Sequence, residues 1–332
     1  MSVDGRAFAA GQAFLLSAKT YWTRVIYPAV REEYAKSPAS LPQSVLYQYY
    51  CWLERHLQRY KYSGRYGLQP YLAQDRERLE AFLANAPAEI SRMDYPEYYT
   101  RVDIHQHPGG VWSDPIAGFV YERGARSTPP LAGKRHRDLH GRLTAAALEG
   151  CPAPARVLDM GCGFGKSTRP FYEALGPGKV EGIDLSAPCL RLAARDADGA
   201  ARFRQMDCSS TEYPAQSFDL VTSTMLLHEM PPAVVEKTLA ESARLLKKGG
   251  RMVHLDFLPA DDDFSRLIHF GHARRNNEPF MEPLARMDLA ALLERLGFRN
   301  VEIRPFEEAD GALAPGYRYW RFPWALISAE RW

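Results

Sequence analysis

The sequence predicts an α/β fold, a seven-stranded wound sheet preceded by a mainly α-helical unit, and three observations carry that prediction. Beyond residue 150, short apolar runs alternate with amphipathic stretches of helical length, the pattern of strands wound by helices into a parallel sheet. Before about residue 133 the apolar residues recur at helical spacing instead. At 332 residues the chain also exceeds one ordinary domain, so two units are expected, residues 1–133 and 134–332.

Taken in order, helical spacing runs from Ala7 to about Lys36 and again from Ser44 to about Ala84. The second stretch belongs to an aromatic run of Tyr47, Tyr49, Tyr50, Trp52, Tyr60, Tyr62, Tyr66 and Tyr71. Helical core accounts for most of these rings, while any one hydroxyl can still reach a site. Between Asp94 and Pro130 the periodicity fails, and Asp103-Ile-His-Gln-His-Pro-Gly-Gly-Val-Trp112 is punctuated by Pro and Gly, which predicts a long ordered loop or lid. Ser127-Thr-Pro-Pro130 reads as a linker and Arg137 to Leu148 as a helix entering the second unit. Strands are expected at Arg156–Met160, Val180–Asp184, Ala201–Met206, Phe218–Ser223, Arg251–Phe257, Asn300–Pro305 and Tyr317–Ile327. Helices are expected at Ser167–Leu175, Pro188–Ala197, Pro232–Leu246 and Asp288–Leu296.

Composition bounds the partners. A net charge of +2 gives no footprint for nucleic acid, and the basic cluster Lys134-Arg135-His136-Arg137 is short enough to be a solvated helix face. Cys51, Cys151, Cys162, Cys189 and Cys208 are odd in number and scattered, which suits a reducing cytoplasm. No apolar run reaches the roughly 18–20 residues of a membrane span. The expected partner is therefore a small-molecule substrate, with no nucleic acid and no membrane, and a homodimer is left open.

The strongest motif is Val157-Leu-Asp-Met-Gly-Cys-Gly-Phe-Gly-Lys166, a buried strand running into a glycine-rich turn that opens a helix. A phosphate-cradling P-loop would need glycine at Met160. A dinucleotide fingerprint begun at Gly161 would need one at Lys166. What remains is an acid followed by Gly-x-Gly-x-Gly: Asp159, Gly161, Gly163 and Gly165. This resembles motif I of the class I S-adenosylmethionine-dependent methyltransferases, whose sheet is Rossmann-like. The glycines let the backbone approach a ligand closely.

That resemblance implies S-adenosylmethionine as cofactor, a last strand that is antiparallel, and a set of binding residues. Asp159 would help to hold the methionine ammonium, through water or directly. Asp184, in Glu181-Gly-Ile-Asp184-Leu185, ends the second strand where such sheets bind a ribose diol, and would take both hydroxyls. Asp207 and Cys208 would meet the adenine. Thr224 and Met225 would lie against the methionyl part, and Leu245-Leu-Lys-Lys-Gly-Gly-Arg-Met-Val253 resembles the helix-turn-strand that follows. The function implied is methyl transfer to a small molecule, in specialised metabolism by analogy with relatives that carry such lids. Three rivals are weighed: an enzyme breaking a different carbon–sulfur bond of the same cofactor, a non-catalytic nucleotide-binding regulatory protein, and a nicotinamide oxidoreductase, which Lys166 disfavours.

Methyl transfer needs alignment, which supplies roughly 7–11 kcal/mol, and for a weakly acidic acceptor a placed base worth about 10²–10⁴ in rate. His228 follows the fourth strand at the carboxyl edge of the sheet and suits either a neutral-pH base or a pocket-shaping hydrogen bond. Glu229 beside it is read as a cap of the next turn. Asp103, His105 and His107 alternate, so an extended backbone would put all three on one face. Substrate contact, metal binding and loop hydrogen bonding are all open to them, His105 and His107 joining His228 as catalytic candidates with no metal assigned. Asn276-Asn277-Glu278-Pro279-Phe280 falls between the fifth and sixth strands, where this family often builds its substrate cover.

Overall fold

The computed structural model describes residues 4–128, 135–259 and 262–332. The N-terminal unit is helical: α1 (Gly5–Tyr21), α2 (Tyr27–Lys36), α3 (Val45–Tyr62), α4 (Leu68–Leu72), α5 (Arg76–Leu83), α6 (Glu97–Thr100) and α7 (Ala117–Ala125). The second unit follows as α8 (Arg135–Glu149), β1 (Val157–Met160), α9 (Thr168–Leu175), β2 (Val180–Asp184), α10 (Ala187–Ala197), β3 (Arg202–Gln205), β4 (Phe218–Thr224), α11 (Pro232–Leu245), β5 (Leu246–Phe257), α12 (Asp263–Arg275), α13 (Met281–Ala285), α14 (Leu289–Arg295), β6 (Phe298–Pro305) and β7 (Trp324–Arg331). The expected boundary at 133 and the basic residue Lys134 lie outside the described residues.

The seven strands order as β3-β2-β1-β4-β5-β7-β6. Strands β1 to β5 are parallel, and β7 is antiparallel between β5 and β6. Every residue of β1 is buried, as both faces of a wound parallel sheet must be. The order reverses between β1 and β4, so the loops leaving those strands part and open a crevice.

Two expectations need correction. The seventh strand begins at Trp324 rather than Tyr317, because Pro323 has no N–H to give a ladder and its carbonyl instead accepts from the Leu258 amide. The stretch from 94 to 130 is not all loop, since α7 lies within it. Gly118 in α7 lets the helix touch α10, where a Cβ would come within 2.5 Å of the Pro188 carbonyl oxygen. Such a contact leaves no periodic apolar trace in the sequence.

Caps set the helix starts. Ser44 accepts from Tyr47 N, Ser186 from Cys189 N and Asp262 from Ser265 N. A π-turn at Trp22–Ile26 joins α1 to α2, and Trp22, Ile26 and Val30 on that joint are buried with Tyr50 of α3. They share one cluster with Phe171, Leu326 and Trp324 of the sheet unit. Each such buried side chain contributes roughly 1.5–3 kcal/mol, so the helical unit is anchored rather than loosely tethered. It also protects the sheet edge: Glu89 bridges to Arg204 on β3, giving its N–H to the Phe203 carbonyl and accepting from Gln205 N.

Candidate active site

A cavity of about 270 Å³ opens at the carboxyl ends of β1, β2 and β4. Sheet loops wall one half; α3, the 98–112 segment and α12 wall the other.

In the first half the glycine loop turns through left-handed backbone at Gly161, Gly163 and Gly165, with φ of +65°, +52° and +80°. A Cβ on Gly161 would meet Leu226 Cδ1 at 2.5 Å, and one on Gly165 would meet Ala193 Cβ at 2.9 Å. Gly161 and Gly163 face the cavity, whereas Gly165 serves the packing of the loop on α10. Asp184 lines the cavity and ties its two edges together, its Oδ2 accepting from Gly163 N at 2.8 Å and its Oδ1 from Ser186 N at 2.7 Å. Burial raises its pKa, against the backbone amides that favour the carboxylate. Leu185, Met206, Cys208, Thr224 and Met225 complete this wall. Thr224 Oγ1 is buried without a hydrogen-bond partner, and Met225 sits at φ +57° with its N–H on the Leu255 carbonyl.

Two of the expected acids do not reach the cavity. Asp159 is fully buried behind the loop, where Ser167 Oγ and Thr168 Oγ1 both donate to its Oδ2 at 2.6 and 2.7 Å. Burial pushes its pKa up to about 6 against those hydroxyls. Its Oδ1 is buried without a partner, while through Oδ2 the carboxylate pins the start of α9. Asp207 turns away to accept from Ser209 N at 2.7 Å, closing a local turn, and the lining passes to its neighbours Met206 and Cys208.

The second half holds alternating carboxylates and imidazoles. His228 Nδ1 meets Asp256 Oδ1 at 2.6 Å, and its Nε2 lies 3.5 Å from Glu229 Oε1. The same Glu229 oxygen is 3.1 Å from His105 Nε2, and His105 Nδ1 is 3.0 Å from Glu278 Oε1. His228, Asp256 and Glu278 are buried in this row, whereas His105 and Glu229 stay about one-fifth exposed. Burial alone would lower both imidazole pKa values, but the carboxylates outweigh it: His105 rises to about 9 under Glu229 and Glu278, and His228 is held well above its ordinary value by Asp256 and Glu229. Glu229 is correspondingly held well below the usual carboxylate range, burial being overcome by His105 and His228. The carboxylates thus favour the protonated form of both imidazoles.

The 103–107 segment is not extended. His105 and Gln106 have φ of +57° and +55°, so the three side chains diverge. Asp103 Oδ1 accepts from Gly109 N, and His107 stacks on Tyr62 at 4.7 Å between centroids. Burial, with Lys61 and His105 adding, pushes the His107 pKa down to about 3, and its ring is absent from the cavity lining, which removes it from the catalytic candidates. Glu229 proves to be the bridge between two imidazoles rather than a turn cap. Glu278 of the expected cover does line the cavity, as do Lys19, Glu54 and Lys61 of the helical unit, which no motif announced. Only burial of three charged side chains on α1 and α3 could have hinted at them.

Residues 157–250 match the profile of the family described as "Methyltransferase domain". Over that stretch the chain carries a methyltransferase domain. It is 34% identical over 160 residues to "Probable methyltransferase ltbC" of Aspergillus luteorubrus, covering 43% of this chain and 56% of that protein. It is also 34% identical over 125 residues to the demethylmenaquinone methyltransferase of Thermus thermophilus, covering 37% and 56%. With the nocamycin O-methyltransferase of Saccharothrix syringae it shares 40% identity over 103 residues, covering 29% and 35%. The chain spans little more than half the length of the first two relatives.

The seventh strand is antiparallel, as the family resemblance implied. No helix among the described residues is long and apolar enough to cross a membrane. Because the Asp207 side chain turns away from the domain's cavity, Asp207→Ala is expected to change S-adenosylmethionine affinity by less than about threefold, under 1 kcal/mol. Calorimetric titration checks this, and a loss beyond tenfold would place the carboxylate on the ligand after all.

Proposed function

We propose that the chain is a cytoplasmic S-adenosylmethionine-dependent transferase that methylates a small molecule. The N-terminal unit, residues 1–133, serves as the cover of the acceptor half. One observation carries this: the glycine loop latched to Asp184 opens into the same cavity as the Asp256–His228–Glu229–His105–Glu278 row. The cytoplasmic assignment is supported by five free cysteines, and the reading needs neither nucleic acid nor membrane.

The residues present fit the cofactor. Gly161 and Gly163 give a backbone surface that no Cβ obstructs, Asp184 places a carboxylate at the tip of β2 for a ribose diol, and Thr224 Oγ1 is an unsatisfied group at the wall. Asp159 acts at one remove, by holding the helix start behind the loop. When bound, the cofactor supplies a methyl group already activated on a sulfonium.

The chain's own task is then to orient the acceptor, keep water out and hold protons in place. His228 and His105 serve this as polar walls locked to carboxylates rather than as free bases, since those carboxylates favour the protonated rings. Glu229, shared between them, fixes the two rings relative to each other. A cavity closed by aromatic and aliphatic walls raises the strength of every such contact.

The test is titration with S-adenosylmethionine and S-adenosylhomocysteine, followed by mass spectrometry of nucleosides released in a reaction supplied with a small-molecule extract. Micromolar binding with S-adenosylhomocysteine as product supports methyl transfer. Methylthioadenosine as product would mean that a different carbon–sulfur bond is broken. Binding with no turnover would favour a regulatory protein, and no binding to folded protein overturns the assignment.

A further inference from the structure

Three buried hydrogen-bond donors line the cavity without a charged partner among the described residues. Lys19 and Lys61, on α1 and α3, are only 7% and 3% exposed, and both line the cavity. Among the described residues neither ammonium takes part in an ion pair. Lys19 Nζ has the Gln58 amide oxygen at 3.5 Å, a long contact, and Lys61 Nζ lies over the Tyr62 ring at 4.3 Å. The third donor is Trp320 Nε1, buried, lining the same cavity and without a partner. Trp320 is held beside α1 by its own N–H on the Thr23 carbonyl and by its ring 5.2 Å from that of Trp22.

The neighbouring carboxylates are engaged elsewhere. Glu54 is paired with Arg275 and His272, and Glu278 Oε1 with His105. Glu278 Oε2 is buried and unpaired, but it forms no ion pair with either lysine. Burial of an ammonium without a counter-charge is unfavourable, and an unpaired buried donor adds to that, so such a group persists where a ligand completes it. Burial accordingly brings Lys19 down to about 8 against the pull of Glu54. Lys61 lies well below its ordinary value through burial, with the charge of Lys19 adding and Glu278 opposing.

We propose that the acceptor is an organic anion, and that a carboxylate on it docks against Lys19, Lys61 and Trp320. This rests on the division of the cavity into a cofactor half and an acceptor half. The carboxylate anchors one end of the acceptor beneath the helical unit, leaving the other end toward the His228–Glu229–His105 row and the glycine loop. Specificity for charge is thereby assigned to the N-terminal unit and placement of the methyl donor to the sheet.

The experiment uses the full chain saturated with S-adenosylhomocysteine and titrates it at pH 7 with a matched pair of probes, 2-naphthoate and the neutral 2-naphthamide. The carboxylate is expected to bind at least about tenfold tighter than the amide, the scale of a charge-assisted hydrogen bond. Lys61→Met and Lys19→Met, which keep the side-chain length, are each expected to erase most of that preference while leaving S-adenosylhomocysteine affinity and the melting temperature of the protein in place. Equal binding of the two probes, binding of neither, or a preference that survives both substitutions would overturn the proposal while the cofactor assignment stands. Failure of the folded wild type to bind S-adenosylhomocysteine would bring down that assignment and this one together.

Discussion

Asp184→Ala is expected to weaken S-adenosylmethionine binding by about 10²-fold, roughly 2.7 kcal/mol. Two losses combine. The carboxylate is the only one at the tip of β2 that lines the cavity, and hydrogen bonds to a charged group contribute about 1.5–3 kcal/mol. The same side chain also accepts from Gly163 N and Ser186 N, so its removal frees the glycine loop from the β2–α10 turn and leaves two amides without their partner. A fall of several degrees in melting temperature should therefore accompany the loss of affinity. Asp184→Asn, which keeps one acceptor oxygen and the shape, is expected to lose less on both measures. Calorimetry on folded protein decides it, and unchanged affinity in Asp184→Ala would remove the carboxylate from the nucleotide site.

The second large effect is expected at Glu229. Glu229→Gln replaces the carboxylate shared by His228 and His105 with a neutral amide, and turnover should fall by about 10²–10³-fold while S-adenosylmethionine affinity stays within about threefold. Catalysis suffers because both imidazoles lose the charge that holds them protonated and oriented.

A stability signature separates this from a simple packing defect. The folded pKa of His105 is raised to about 9, above its unfolded value of about 6.5. A raised pKa means the folded state holds its proton more tightly, so the pairing contributes fully below about pH 6.5 and is lost as pH climbs through about 9. The wild-type urea midpoint is expected to decline across that window, and Glu229→Gln should flatten the decline by lowering the folded pKa. A wild-type midpoint flat from pH 6 to 9 would show that the histidines are not protonated in the folded state.

Much of the fold was legible in the chain because its signals are local. The first four strands, the sixth and the four helices expected within the sheet unit fall within about two residues of prediction, and the fifth strand only starts early, at Leu246 rather than Arg251, since a buried parallel strand is a compact apolar run and a glycine-rich turn has few structural uses. The seventh strand slid because Pro323 acts through a missing ladder bond rather than through hydrophobicity. Helix α7 escaped because its identity rests on Gly118 pressing against Pro188 of another helix, a contact between residues far apart in sequence.

Gly161, Gly163 and Asp184 line the cavity as their spacing suggested, because the order strand, turn, helix, strand is covalently enforced. Asp159 and Asp207 show the limit of that logic, since position at a strand end does not say which way a carboxylate turns, and each found nearer donors in Ser167, Thr168 and the Ser209 amide.

What the sequence by itself determined was the wound sheet, its glycine-rich crossover and the carboxylate at the end of β2, all properties of short contiguous stretches. Only the tertiary structure decided that His105 and His228 would share Glu229, that His107 would be stacked away on Tyr62, and that Lys19 and Lys61 would be buried at the cavity wall. Charge pairing and burial depend on distances across the fold between segments well separated in sequence, and no local pattern encodes those distances.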